Sequence, residues 1–254
     1  MWREIGEAFR SLGSIGDGCR CILLVGVGKS FCAGIDVADE NFGLMSANDD
    51  ESGSDVARRY ISFRPKILEM QACLTAIEEC SVPVVAAIHG ACIGAGIDLS
   101  SCADIRICSP NSKFSVREAK LGLAADVGTL QRLPKICGHS SRIRELCYTG
   151  EDFGAGEAAR VGFVSRVSPT DEDLIEVSMG VARRIARNSP VAVQGTKLSL
   201  NFSRDHTVKE GLEHIAMHNS AALMTNDLLD SFMASSNKNG AAAEFPPLLP
   251  NSKL

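Results

Sequence analysis

The chain has no surplus of positive charge: 26 Lys and Arg stand against 31 Asp and Glu, giving a net charge of -5 and a pI near 5.6. Phosphate backbones and anionic lipid surfaces are held by clustered cations, so nucleic acid and membrane are not expected as partners. An uninterrupted apolar run long enough to cross a bilayer is also lacking. The longest, residues 81–99, is broken by Pro83, His89, Asp98 and several glycines, and reads as a buried strand followed by a turn. The ten cysteines, between Cys19 and Cys147, form no CxxC pair and have no His at ligand spacing. Free buried thiols in a reducing compartment are expected, with no metal. The opening Met1-Trp2-Arg3-Glu4 starts an amphipathic helix containing acids and does not read as a cleavable signal.

Single missing residues dismiss three further motifs. Gly28-Lys29-Ser30 ends like a phosphate loop, but Leu23 stands where that loop needs its first glycine. His214 and His218 are one helical turn apart, yet Ile215 occupies the place of a metalloprotease glutamate, and surface or interface histidines are expected. Gly94-Ala95-Gly96 begins a dinucleotide fingerprint whose third glycine is Leu99. No internal repeat is evident.

What is present is a globular chain of 254 residues, 45% hydrophobic and 22% charged, ample for one large core with an extension. Periodicity predicts helices over residues 2–12, 56–80, 96–102, 129–136, 140–149 and 157–161, and strands over 21–25, 82–88, 105–108 and 163–167. Residues 28–36 read as a loop leading into a short helix, and 40–54 as a polar surface loop. From 171 to 233 the pattern is helical, with breaks near Asn188-Ser189-Pro190 and Ser203. Strands alternating with helices imply an α/β core followed by a helical extension.

Three carboxylates stand out. Glu118 and Asp126 are eight residues apart in an apolar, glycine-containing stretch, and Asp98 closes Gly90-Ala91-Cys92-Ile93-Gly94-Ala95-Gly96-Ile97-Asp98. Buried acids without cationic partners hold or share a proton, which suits general acid and base work near neutral pH. Helix capping or pairing with Arg106 or Arg117 is the bland reading for Asp98 and Glu118. For Asp126 it is a cap on the helix that follows.

Two glycine loops, Ser30-Phe31-Cys32-Ala33-Gly34-Ile35-Asp36 and residues 89–98, each follow an apolar strand and open a helix. Together they resemble the crotonase, or enoyl-CoA hydratase/isomerase, superfamily. The stretch from Gly122 to Lys135, with Ala124-Ala125-Asp126 where hydratases carry Pro and Gly, is similar to the dienoyl-CoA isomerases within it. The resemblance implies a spiral of ββα units and a C-terminal helical region used for assembly. It divides the chain into a catalytic core over 1–187, a trimerisation region over 188–235 and a tail over 236–254. The family pattern starts with a strand pair before the first helix, whereas this chain opens at the helix.

The resemblance implies backbone donors to a thioester oxygen at Ile35 and Ala95, and contacts to coenzyme A from Lys29, Ala33, Gly34, Asp36 and Gly94. It places the two hydratase glutamates at Asp98 and Glu118, the former one methylene short, while Asp126 is an additional acid. The expected roles are Glu118 as base at C2 of a 3,5-dienoyl-CoA, Asp126 as acid at C6 and Asp98 as a tuning or orienting neighbour, with exchange of roles within the trio left open. The substrate is an acyl-CoA thioester, and no metal or redox cofactor is expected. A 2-enoyl-CoA hydratase, a 3,2-enoyl-CoA isomerase and a non-catalytic acyl-CoA or RNA binder are the alternatives, the acidic pI opposing RNA. A homotrimer or homohexamer is implied. Finally, Ser252-Lys253-Leu254 at the C-terminus matches the address read by the peroxisomal import receptor, so a peroxisome or related organelle such as a glycosome is expected.

Overall fold

The computed structural model describes residues 1–13, 18–36, 56–236 and 243–248. The short helix expected after Asp36, the polar loop over 40–54 and the Ser252-Lys253-Leu254 address lie outside the described residues.

Strand β2 (Val84–Ile88) is buried along its whole length and organises the core. It pairs in parallel with β1 (Ile22–Val25) on one side and β4 (Ile105–Cys108) on the other, and β7 (Arg166–Val167) continues the sheet in the order β1-β2-β4-β7. A parallel sheet of this kind is covered on both faces. Val85 and Ala87 of β2 pack with Leu174 and Val181 of α7 (Leu174–Ala186), and the alternate residues Val84, Ala86 and Ile88 enter the main core. That core also takes Leu74 and Ile77 of α2 (Val56–Glu79) and Phe9 of α1 (Trp2–Leu12). The apolar residues Ile61 and Leu68 of α2 are exposed, so the expected buried stripe is realised from Cys73 onward.

A second sheet has the order β3-β5-β6, built from β3 (Ala91–Ile93), β5 (Lys113–Ser115) and β6 (Phe153–Gly154). Each long strand thus runs into a short one and then a helix: β2 and β3 lead to α3 (Ala95–Ser101), and β4 and β5 lead to a 3₁₀ turn (Glu118–Leu121) and α4 (Thr129–Ile136). This is the expected spiral of ββα units. Helices α5 (Ser140–Thr149) and α6 (Ala155–Arg160) complete the core. The strand expected over 163–167 is confined to β7, because the Phe163 and Val164 amides turn back to donate to the Ala158 carbonyl.

Beyond the core lie α8 (Pro190–Asp205), α9 (Val208–Ala222) and α10 (Asn226–Ser236). The break before α8 is set by Ser189, whose hydroxyl accepts from the Ala192 amide while Pro190 begins the helix. Thr207 and Glu210 form a reciprocal capping box at the start of α9. A further break at 223–225, closed by turns from Met224 and Thr225 onto Ala221 and Ala222, was not expected from the sequence. The thiols are free, and Cys73, Cys80, Cys92, Cys102, Cys108 and Cys137 are buried. Among the described residues no helix is long and apolar enough to cross a membrane, and no group of His, Cys, Asp and Glu is arranged to hold a metal ion.

Candidate active site

The two glycine loops lie side by side because the first is clipped to the edge of β3. The Phe31 amide donates to the His89 carbonyl, the Cys32 amide to Ala91, and the Ile93 amide to Cys32, so Cys32 and Cys92 form a parallel bridge. Two residues past each bridged cysteine stands a glycine with positive φ, Gly34 at 100° and Gly94 at 53°. Three residues past stand Ile35 and Ala95. The equal offset brings the two predicted donor positions to matching places on adjacent chains. No hydrogen bond among the described residues uses either amide, and Ala95 is the first residue of α3, where an amide has no partner within the helix. The glycines are required at these places. L side chains rarely adopt the φ of Gly34, where a Cβ would also stand 3.2 Å from the Ile93 carbonyl oxygen.

Glu118 comes to the same place from the next unit. Its Oε1 lies where a Cβ on Gly94 would approach to 3.2 Å, which puts the carboxylate against the backbone just before Ala95. Glu118 is buried, and its Oε2 has no hydrogen-bond partner among the described residues. Burial pushes its pKa above the ordinary glutamate value, and the charges of Asp98 and Asp126 push in the same direction. Arg117 turns away to pair with Asp152, so it does not neutralise Glu118.

Asp98, on α3, is also buried, and burial raises its pKa against hydrogen bonding from Thr129; Asp126 adds to the rise. Its Oδ1 accepts from the Thr129 amide at 2.6 Å. Thr129 opens α4, so Asp98 supplies the side-chain cap of that helix across 31 residues of sequence. The capping role considered for Asp126 therefore falls to Asp98, and Gly128 occupies the cap position of α4 itself. Arg106 does not pair with Asp98; its guanidinium donates to the carbonyls of Ala103 and Phe163.

Asp126 departs from the expectation of a buried trio. It is exposed, because the turn after Gly122 carries Ala124 and Asp126 outward. Its charge still raises the pKa of both Asp98 and Glu118, as a smaller cause than burial. Lys29, Ala33 and Asp36 are exposed along the outer side of the first loop. The cavity between α8, α9 and α10, about 440 Å³, shares no lining residue with this carboxylate group.

Two amides without a partner among the described residues, at equal offsets from a bridged pair of cysteines and with a buried carboxylate beside one of them, would suit a carbonyl oxygen that gains charge as a neighbouring proton leaves. The enoyl-CoA hydratase/isomerase profile matches residues 1–234. The chain belongs to the enoyl-CoA hydratase/isomerase family. Within that family it is similar to the mitochondrial Delta(3,5)-Delta(2,4)-dienoyl-CoA isomerase of Homo sapiens, 43% identical over 249 residues covering 98% of this chain and 74% of the relative. The peroxisomal enzyme of the same name from Arabidopsis thaliana is 44% identical over 213 residues, covering 84% of this chain and 75% of the relative. Among solved structures, the enoyl-CoA hydratase of Bacillus anthracis superposes with a TM-score of 0.81 at 26% identity, covering 96% of this chain and 87% of that one.

Two residues of this family member's site were not foreseen. Thr129 is fully buried and holds Asp98 through its amide, and Gln71 of α2 donates through Nε2 to the Asp126 carbonyl at 2.6 Å. Neither carries a sequence signal, since both act on residues far away in the chain.

Proposed function

We propose that this family member is a dienoyl-CoA isomerase that converts 3,5-dienoyl-CoA to 2,4-dienoyl-CoA. The observation that carries the proposal is the third acid. By the resemblance Glu118 and Asp98 stand at the positions of the hydratase pair, and Asp126 adds a carboxylate whose charge acts on both. Hydration needs no acid at that position, whereas moving a conjugated diene needs a second proton-transfer site far from the thioester. The names and identities of the human and Arabidopsis thaliana relatives support the same reaction.

In this reading the Ile35 and Ala95 amides donate to the thioester oxygen. Glu118 takes the C2 proton, which the thioester acidifies, and the electron pair spreads over C2, C4 and C6 as a trienolate with its charge at the bound oxygen. Asp126 in its acid form delivers a proton to C6, leaving double bonds at C2 and C4. Protonated Glu118 and ionised Asp126 then reset with solvent. Raised basicity at Glu118 serves the first step. Asp98 orients the start of α4 and adds its charge to the coupled group. Lys29 sits on the approach as a cation for a CoA phosphate, with Ala33, Gly34, Asp36 and Gly94 forming the wall along the thioester. No further cofactor enters this scheme.

Ser252-Lys253-Leu254 would address the protein to the peroxisome, and the helical region over 188–235 would assemble it as a trimer, stacked into a hexamer. The test of the reaction is a side-by-side assay. The protein should isomerise a 3,5-dienoyl-CoA, followed by absorbance of the 2,4-dienoyl product, much faster than it hydrates a 2-enoyl-CoA. The opposite ranking would assign it to the hydratases.

A further inference from the structure

One face of α2 holds the segment that carries Asp126. Gln71, Thr75 and Glu78 follow each other at helical i, i+4 and i+7 spacing. Gln71 Nε2 donates to the Asp126 carbonyl at 2.6 Å, Thr75 Oγ1 accepts from Arg132 Nη2 at 3.1 Å, and Glu78 Oε2 accepts from Arg132 Nε at 2.5 Å. Arg132 folds back over Gly128, whose φ of 134° and lack of a side chain make room for Nη1. The segment from Asp126 to Arg132 is thus tied at both ends to α2, and between them the Thr129 amide is tied to Asp98. Leu74 and Ile77, on another face of the same helix, are fully buried in the core.

We propose that Gln71 is a positioning residue for proton delivery at C6, fixing the backbone of Asp126 from α2 while Thr75, Glu78 and Arg132 hold the far end of the segment. The inference rests on the isomerase reading of Asp126. An exposed aspartate on a turn samples many orientations, and proton transfer over one hydrogen-bond length tolerates little of that freedom. Only the C6 step should depend on Gln71, because Glu118 sits in the 3₁₀ turn ahead of the tied segment and meets the Gly94 backbone, not α2.

Gln71→Met keeps the length of the side chain and removes the donor. With a 3,5-dienoyl-CoA in deuterated water, turnover should fall about 10- to 100-fold. Deuterium entry at C6 of the product should fall with it, while C2 exchange in recovered substrate stays at the parent rate. Thr75→Val should shift the same ratio more weakly. In an Asp126→Asn background Gln71→Met should add no further loss, since both act on one step. C6 entry at the parent rate, or C2 and C6 rates falling together with a lowered melting temperature, would overturn the inference and leave Gln71 a structural contact. A parent protein inactive on the diene would instead overturn the isomerase reading, and the inference with it.

Discussion

Glu118 Oε2 is buried and meets no donor among the described residues, so the ionised carboxylate destabilises the fold that holds it. Its folded pKa is raised above the unfolded value. Its stabilising contribution is therefore full below the unfolded carboxyl range and is lost as pH rises through the raised value. Glu118→Gln, neutral throughout, should melt higher than the parent at pH 7, with the gain shrinking toward about pH 4. The same variant should lose about a hundredfold or more in diene turnover. Because a base works ionised, parent kcat/KM should drop as pH falls through the raised Glu118 value, above the ordinary glutamate range near about 4.3. A pH series of calorimetry and initial rates checks both limbs. At this scale the burial of Asp98 and Glu118 was legible from residue type and from the glycines around them. Their partners were not: Asp98 meets Thr129 and Asp126 meets Gln71 through the fold, 31 and 55 residues apart. Nor does apolar local sequence reveal that the turn after Gly122 carries Asp126 out to solvent.

Two core helices matched their expected bounds. Helices α4 and α5 span residues 129–136 and 140–149, and α5 ends at Gly150, whose φ of 58° suits the left-handed C-cap. Strands β3, β5 and β6 are two or three residues long, too short to show periodicity, and they exist because parallel or antiparallel partners meet them in space. The junction between sheet and helical region likewise belongs to tertiary structure. Lys197 of α8 is buried and donates from Nζ to Asp104 Oδ2 at 2.8 Å and to the Val82 carbonyl at 3.0 Å. Asp104 in turn accepts from the Val84 amide at the start of β2. Lys197→Met should strand the Asp104 charge and the Val82 carbonyl. The expected loss is up to about 3 kcal/mol, at the low end for a buried pair because Asp104 keeps some solvent. Denaturant unfolding measures it. A loss within error would mean that apolar packing alone attaches α8.

For the whole molecule, the helical extension leaves apolar surface uncovered. Leu212, Leu223 and Phe232 are 64%, 60% and 63% exposed. A surface of this kind fits assembly through residues 188–235, so light scattering at micromolar concentration should give a trimer or hexamer, and a stable monomer would contradict it. Deleting residues 252–254 should leave turnover intact and abolish peroxisomal import; import that survives the deletion would show the tripeptide to be redundant or unread. The reaction itself spans the ligand from thioester to C6, and the account rests on its having two separate acids at the two ends. Asp126→Asn, run on a 3,5-dienoyl-CoA in deuterated water, tests that most directly. The account predicts that C2 exchange continues through Glu118 while deuterium entry at C6 and isomerisation fall about a hundredfold or more. Isomerisation at the parent rate would show that Asp126 carries no proton and would contradict the account.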